Sequence, residues 1–238
     1  GISTNGNNAP LAIIDGYQGD LSLLNPDDIE SITVLKDAQA AIYGTIGANG
    51  VLLITTKSGK KNSKTKVTFN TYTGIQETTR KLPVLNATEY GAIMNERFAN
   101  GNGQGSVPYP NLSTLGKGTD WQDAAFQKGL TQNHQLSISG GNNQTKYAVS
   151  GNYYNQEGII KNTGFERFSG RVNLNSKISS KARFGLNLTI AETKSKVAPA
   201  GLITSLLSMP PTATIYEPNG SYTLRNPFEN IFANPIAT

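Results

Sequence analysis

Between His134 and Ala191 the chain runs four times through a stretch of about ten residues in which apolar and polar side chains alternate. Leu136 and Ile138 oppose Gln135, Ser137 and Ser139, and Tyr147, Val149 and Tyr153 alternate with Lys146, Ser150 and Asn152. Phe168, Val172 and Leu174 oppose Arg167, Ser169, Arg171 and Asn173; Ala182, Phe184, Leu186, Leu188 and Ile190 oppose Arg183, Gly185, Asn187 and Thr189. Successive side chains of a strand point to opposite faces, so each stretch reads as a strand with one greasy and one polar side. A series of such strands matches a transmembrane β-barrel, in which a ten-residue strand rises about 33 Å and, tilted near 45°, spans about 23 Å of a ~25 Å apolar belt.

The arginines fix the register. An arginine on the lipid face near mid-bilayer costs roughly 2 to 4 kcal/mol, so Arg167 and Arg171, and with them Asn173, are assigned to the lumen. Short connections at Gly140 to Thr145 and Asn175 to Lys181 alternate with a longer one from Asn155 to Gly164, the order expected of periplasmic turns and an outer loop.

The first 59 residues have a different grammar. Leu11 to Ile14 predict a short buried strand closed by a turn at Asp15-Gly16, and Asn25-Pro26-Asp27-Asp28 predicts a helical turn, with Asn capping and Pro at the first helical position. Ile32 and Val34, then Val51 to Ile54, are of strand length, and between them lies an Ala-rich helix. The Asp37 carboxylate is placed to cap that helix, Gly44 to end it, and Gly47 and Gly50 to bracket a turn through Ala48-Asn49. The glycines close a helix instead of opening one, which is the wrong end for a phosphate cradle.

Lys36-Asp37-Ala38, Ala41-Ile42-Tyr43-Gly44, Ala48-Asn49-Gly50-Val51 and Ile54-Thr55-Thr56-Lys57 together resemble the plug-domain signature of SusC/RagA-type TonB-dependent outer-membrane transporters. Pro10 to Gly16 and Leu24 to Glu30 are similar to the earlier plug elements, and Ser139 to Asn142, Gln156 to Ile159 and Phe165 to Leu174 extend the resemblance to about residue 195. It implies a mainly β fold: a partial transmembrane β-barrel plugged by a small mixed α+β domain. Residues 1–59 become the C-terminal part of the plug, 60–66 a basic linker, and 67–238 the first strands, connecting helices and loops of the barrel. Asp15, Gly16, Lys36, Asp37, Tyr43, Gly44, Ala48, Asn49 and Gly50 carry the plug signature, in a structural or coupling role.

The resemblance further implies import of glycans or oligopeptides across the outer membrane of a Gram-negative bacterium. Its partners are a SusD-like surface lipoprotein, outer-membrane lipid and the TonB complex, the last through a segment upstream of these residues. The first residues, Gly1-Ile2-Ser3-Thr4, read as internal, without a basic-then-apolar leader. The competing expectation is a secreted or surface β-rich carbohydrate-binding module, in which Tyr147, Tyr153 and Tyr154 contact sugar.

Composition narrows the remainder. The 238 residues hold 25 glycines, no cysteine and one histidine, which removes disulfides, thiolate metal sites and cysteine nucleophiles. The net charge of +5 gathers in Lys57, Lys60, Lys61, Lys64 and Lys66 among small polar residues and without interleaved aromatics, so it reads as a solvated linker and not a nucleic-acid surface. No segment approaches the roughly 20 apolar residues of a membrane-spanning helix, leaving a barrel as the only route through a bilayer.

His134 has no partner motif and is assigned a structural role; Lys57-Ser58-Gly59 lacks a companion Ser-Asp-Asn motif. Asp15, Asp20, Asp27, Asp28, Glu30 and Asp37 lie in turns or caps, so neither a catalytic site nor a cofactor or metal is expected. Elsewhere, Val67 to Gln76 alternates as a strand, residues 87 to 99 predict a helix with Tyr90, Ile93, Met94 and Phe98 near one face, and 100–118 reads as loop. A short helix is predicted from Thr119-Asp120-Trp121 to about Gln127, another from Gly201 to Met209, and a hairpin over Tyr216 to Arg225.

Overall fold

The computed structural model describes residues 9–101, 103–223 and 234–237. The chain divides into two compact units, the first formed by Gly1–Gly74, Thr131–Gln156 and Phe165–Lys194, the second by Ile75–Leu130, Glu157–Gly164 and Ser195–Thr238.

In the first unit, β1 (Leu11–Ile14), β2 (Tyr17–Gln18), β3 (Ile29–Leu35) and β4 (Val51–Thr56) form a sheet in the order β2-β1-β4-β3. β1 runs parallel to β4, pairing Leu11 with Val51 and Ile14 with Ile54, and β3 runs antiparallel to it, pairing Ile32 with Ile54. The central strand is the all-aliphatic one: Val51 is fully buried and packs with Ile13 and Ala40, supported by Leu11, Leu35, Tyr43 and Leu53. The predicted turn at residues 25–28 is a 3-10 helix, Pro26–Asp28, whose N-cap Asn25 accepts from the Asp27 backbone N–H.

The Ala-rich connection differs from the α-helix expected. It is a 3-10 segment, Asp37–Gly47, and Asp37 does not cap it: Lys36 holds the N-cap position without a side-chain hydrogen bond. Asp37 itself sits at φ +49°, so it uses the tolerance of Asp for left-handed backbone to turn the chain out of β3. Gly44, at φ 64° and ψ −151°, kinks the segment in its middle instead of ending it.

The second sheet has the order β5-β6-β7-β8-β9, made of β5 (Ser63–Gln76), β6 (Gly129–Gly141), β7 (Thr145–Glu157), β8 (Gly164–Lys177) and β9 (Arg183–Lys196). β6 and β7 are antiparallel in continuous register from Thr131 opposite Gln156 to Gly141 opposite Lys146. These strands are 13 or 14 residues long, longer than the ten read from alternation, because their ends continue as ladder where the side chains are polar or glycine. β5 likewise begins at Ser63, so Ser63 to Lys66, expected in the basic linker, are strand residues. Connections at 142–144 and 178–182 alternate with 158–163 and the much longer 77–128.

The chain passes from β4 to β5 through Gly59, where a Cβ would run into the carbonyl of Gly140 and the backbone of Tyr147. Only glycine allows that approach.

One face of the strands is apolar and open: Phe168, Phe184 and Leu188 are each 48% exposed and Ile190 63%. His134 and Tyr153 stack near-parallel, Tyr153 meets Phe168 at 4.6 Å between ring centres, and His134 Nδ1 bonds the Thr71 hydroxyl at 2.7 Å, which gives the lone histidine a structural place. A cluster of aromatic rings on the outer face near strand ends is what the interfacial girdle of a barrel requires.

In the second unit, α1 (Ala87–Asn100) opens with a capping box in which Asn86 accepts from Glu89 N–H at 3.0 Å and Glu89 accepts from Asn86 N–H at 2.9 Å. Its buried stripe is Ala87 and Gly91 with Tyr90, Met94 and Phe98 half-buried; Ile93, expected on that face, is 49% exposed. Within the loop that follows, Leu112–Thr114 forms a 3-10 turn. α2 (Trp121–Ala125) is capped by Asp120 and stops two residues before the predicted end, and α3 (Leu202–Ser208) occupies the predicted place. Trp121, Ala125, Leu206, Met209 and Ala213 make the core of this unit, with Trp121 Nε1 donating to the Pro210 carbonyl. Tyr216 bridges Tyr222 in a hairpin as expected, while Arg225 lies outside the described residues.

Candidate functional site

Polar groups of the β1–β4 unit converge on the polar face of β6 to β9 at two places. The first centres on Asp15, at the end of β1. Its carboxylate accepts from Thr56 N–H at 2.9 Å, from the Thr56 hydroxyl at 2.6 Å, from Arg171 Nη2 at 2.5 Å and from Asn187 Nδ2 at 2.7 Å. Arg171, on β8, also donates to Asn187 Oδ1, to the Thr189 hydroxyl and to the Thr56 hydroxyl. Side-chain exposure is 4% for Arg171 and 15% for Asp15, so the pair is shielded from solvent.

Burial acts to raise the Asp15 pKa, but the hydrogen bonds from Thr56, Asn187 and Arg171 outweigh it and hold the carboxyl below its ordinary value. An ionised Asp15 thus ties β1 to β4 within its own sheet and to β8 and β9.

The second place is built from carboxamides that donate to the Asp27 and Asp28 carboxylates, with Arg167 beside them. Asn25 donates to Gln135 Oε1 at 2.5 Å, Gln135 donates to Asp28 Oδ1 at 3.0 Å, and Asn133 donates to Asp27 Oδ2 at 3.0 Å. Asn152 in turn donates to Asn133 Oδ1 at 2.7 Å, and Arg167 reaches the Leu24 carbonyl at 3.4 Å while lying 5.8 Å from the centre of the Tyr154 ring. Asn25, Asp28, Asn133, Gln135, Asn152 and Arg167 are all buried. Hydrogen-bonded side chains, not aliphatic packing, join the small sheet to the strands here.

A family model described as the TonB-dependent receptor plug domain matches residues 1–51. SusC, a TonB-dependent receptor of Bacteroides thetaiotaomicron, is 35% identical over 99% of this chain, which covers 24% of that relative. TonB-dependent receptor P26 of Formosa agariphila is 36% identical over the whole chain, again 24% of its own length. A solved structure of the RagAB peptide importer in its closed-closed state superposes with a TM-score of 0.77 at 29% identity, covering 98% of this chain and 31% of that one. The chain belongs to the SusC/RagA-type TonB-dependent receptors. It spans about a quarter of the length of the curated relatives it matches. Such receptors lie in the outer membrane of Gram-negative bacteria, and this is the location of the chain.

The residues that carry the sequence resemblance separate into two groups. Asp15 and, through the turn at Gly16 (φ +92°), the reversal into β2 belong to the Arg171 cluster. Lys36, Asp37, Tyr43, Gly44, Ala48, Asn49 and Gly50 shape the 3-10 segment and the turn into β4, where Tyr43 packs on the Ile13–Val51 core and the Gly50 carbonyl accepts from Leu11 N–H at 3.0 Å. Arg167, Arg171 and Asn173 share the sheet face that meets the β1–β4 unit, and all three are buried.

Sequence reasoning missed Thr56, Asn187, Asn25, Asp27, Asp28, Asn133, Gln135 and Asn152 as members of the site. The signal was present for the strand residues, which occupy the polar register of β6, β7 and β9. Asn25, Asp27 and Asp28 hid behind their local roles in a turn. Among the described residues no group of His, Cys, Asp and Glu is arranged to hold a metal ion. The named relatives are receptors and not enzymes.

Proposed function

We propose that this chain is the plug portion and opening wall of an active transporter that imports glycans or oligopeptides, coupled to the TonB complex through a segment upstream and served by a SusD-like surface lipoprotein. Residues 1–59 act as the stopper, the basic stretch that follows as the passage to the wall, and residues 67–238 as the first staves and their outer connections. In this reading Arg167, Arg171 and Asn173 face the lumen, and Phe168, Phe184, Leu186, Leu188 and Ile190 face lipid.

The observation that carries the reading is the opposite character of the two faces of one sheet. Its polar face is closed by hydrogen bonds to residues 9–59, while its apolar face is open. A sandwich module needs a second sheet over the apolar face, so this arrangement favours the barrel over the carbohydrate-binding module.

The test is uptake by the full-length receptor in its native membrane, comparing strains with and without a working TonB complex and with and without the neighbouring surface lipoprotein. Energy-dependent accumulation of a labelled oligosaccharide or oligopeptide supports the reading. A full-length protein that is monodisperse without detergent refutes it.

A further inference from the structure

The short connections of the five-stranded sheet share one sign of charge. Lys60, Lys61, Lys64 and Lys66 lead into β5 and form its first rungs. Lys146 stands second in β7, Lys177 closes β8, and Lys181 and Arg183 lead into β9. The main chain draws these eight cations to one end of the sheet. A Cβ on Gly141 would meet the Lys60 carbonyl at 2.7 Å, Gly141 pairs with Lys146, and the Thr65 and Tyr147 hydroxyls bond at 2.7 Å. Lys177 N–H donates to the Gln144 carbonyl at 2.8 Å, and Ile178 N–H to the Ala182 carbonyl at 3.0 Å.

The strands bring no counter-charge to this end: residues 57–76, 124–156 and 167–191 contain neither Asp nor Glu. The small sheet supplies none that is unclaimed, since Asp15 answers Arg171 while Asp27 and Asp28 accept from Asn133 and Gln135. Among the described residues none of the eight cations is ion-paired, and all but Lys146 are exposed. A patch of one sign builds a positive potential that attracts anions.

Exposed apolar side chains begin where the cations stop. Val67 follows Lys66, Phe184 follows Arg183, and Ile178 follows Lys177 and is 70% exposed although it stands in a turn. One residue of a strand tilted near 45° advances only about 2 Å along the membrane normal, so these cations stand at the depth where an apolar belt gives way to headgroups. Long cationic side chains reach for that layer with their charged tips. An acidic protein or a soluble anion would account for the cations but not for the apolar residues beside them, whereas a lipid with an anionic head accounts for both.

Resting on the barrel reading, we infer that the short-turn end of this wall is a binding surface for anionic phospholipid. The cations hold the headgroup phosphates, and Val67, Ile178 and Phe184 meet the adjoining acyl chain. Clusters of about four to eight Lys and Arg at the edge of a membrane-embedded segment recognise anionic headgroups in this way. The end with the short turns faces the periplasm in that reading, and the leaflet there is phospholipid.

The experiment incubates the full-length receptor, folded in detergent, with an equimolar mixture of phosphatidylglycerol and phosphatidylethanolamine, and counts retained lipids by native mass spectrometry. Phosphatidylglycerol is retained in several-fold excess. Salt at about 0.5 M, which shortens the screening length to about 4 Å, removes most of that excess. Lys60→Gln, Lys61→Gln, Lys181→Gln and Arg183→Gln together abolish it. Lys117→Gln, Lys128→Gln, Lys194→Gln and Lys196→Gln remove as much charge elsewhere and leave it unchanged. Heat-modifiable migration confirms that each variant is folded, and where the first variant lacks it the salt titration of the wild type still decides.

Equal retention of the two lipids, or an excess indifferent to salt or to the four substitutions at the turns, overturns the inference. Lipid A serves as a third probe: if its retention falls with those substitutions while that of phosphatidylglycerol does not, the surface belongs to the outer leaflet and the phospholipid assignment fails. A full-length protein that is monodisperse without detergent and retains no lipid refutes the barrel reading and the inference with it. Equal retention by a folded, detergent-dependent receptor refutes the inference alone.

Discussion

Replacing Arg171 and Arg167 in turn by Met separates a cation that answers a carboxylate from one that does not. Both guanidiniums lie buried on the same face of β8. Arg171→Met removes the charged partner of Asp15 and leaves the carboxylate to Thr56 and Asn187, which destabilises the junction by about 3 kcal/mol. Arg167→Met removes one long hydrogen bond to the Leu24 carbonyl and a ring contact, together about 1 to 2 kcal/mol, and also removes a buried charge that, unlike Arg171, has no ion pair with a carboxylate among the described residues. The loss there is offset, and the net change is about 1 kcal/mol or less.

Hydrogen exchange of the full-length receptor in detergent reads this difference locally, because Asp15 N–H bonds the Ile54 carbonyl and Thr56 N–H bonds the Asp15 carboxylate. A loss of 3 kcal/mol speeds opening-limited exchange of the peptides carrying Asp15 and Thr56 by roughly 150-fold in Arg171→Met, whereas Arg167→Met changes it by no more than about fivefold. Adding Asp15→Asn to Arg171→Met removes the stranded charge and recovers part of the loss. Equal acceleration in both single variants, or none in Arg171→Met, refutes the assignment of Asp15 as the charge that matters.

Because the folded Asp15 carboxyl titrates below its usual value near 3.8, its contribution to stability is complete above that pH and fades as pH falls through the lowered folded value. The protection of Thr56 N–H, taken relative to its intrinsic exchange rate at each pH, therefore falls on acidification in the wild type and responds less in Asp15→Asn. Gly44→Ala forces a side chain into φ 64°, ψ −151°, a region open essentially to glycine, at a cost of about 1 to 3 kcal/mol, read as faster proteolysis of the 37–47 segment in the assembled receptor. Leu188→Arg puts a cation on the open apolar face of β9 and disfavours insertion by up to about 2 to 4 kcal/mol, read as a lower yield of heat-modifiable, membrane-assembled receptor.

Alternation makes the strand faces legible, with Arg167, Arg171 and Asn173 on one side and Phe184, Leu186, Leu188 and Ile190 on the other. It could not reveal what covers the polar side. Arg171 and Asp15 are 156 residues apart, and nothing in a two-residue period names a partner at that distance. Capping chemistry is legible at Asn25, whose amide stands just before its helical turn, and misleading at Asp37, whose left-handed backbone spends a residue of similar type on a turn; the caps at Asn86 and Asp120 come from the structure. Lysines disguised the start of β5 as linker, because the ladder of Ser63 to Lys66 is carried by backbone and needs no apolar face.

Gly59 gives this architecture a fixed pivot. Where three stretches of main chain touch without any side chain between them, there is no slack to slide and no bulk to compress. The small sheet is pinned to the strands at that one corner, three residues beyond Thr56 and the Asp15 carboxylate that Thr56 binds.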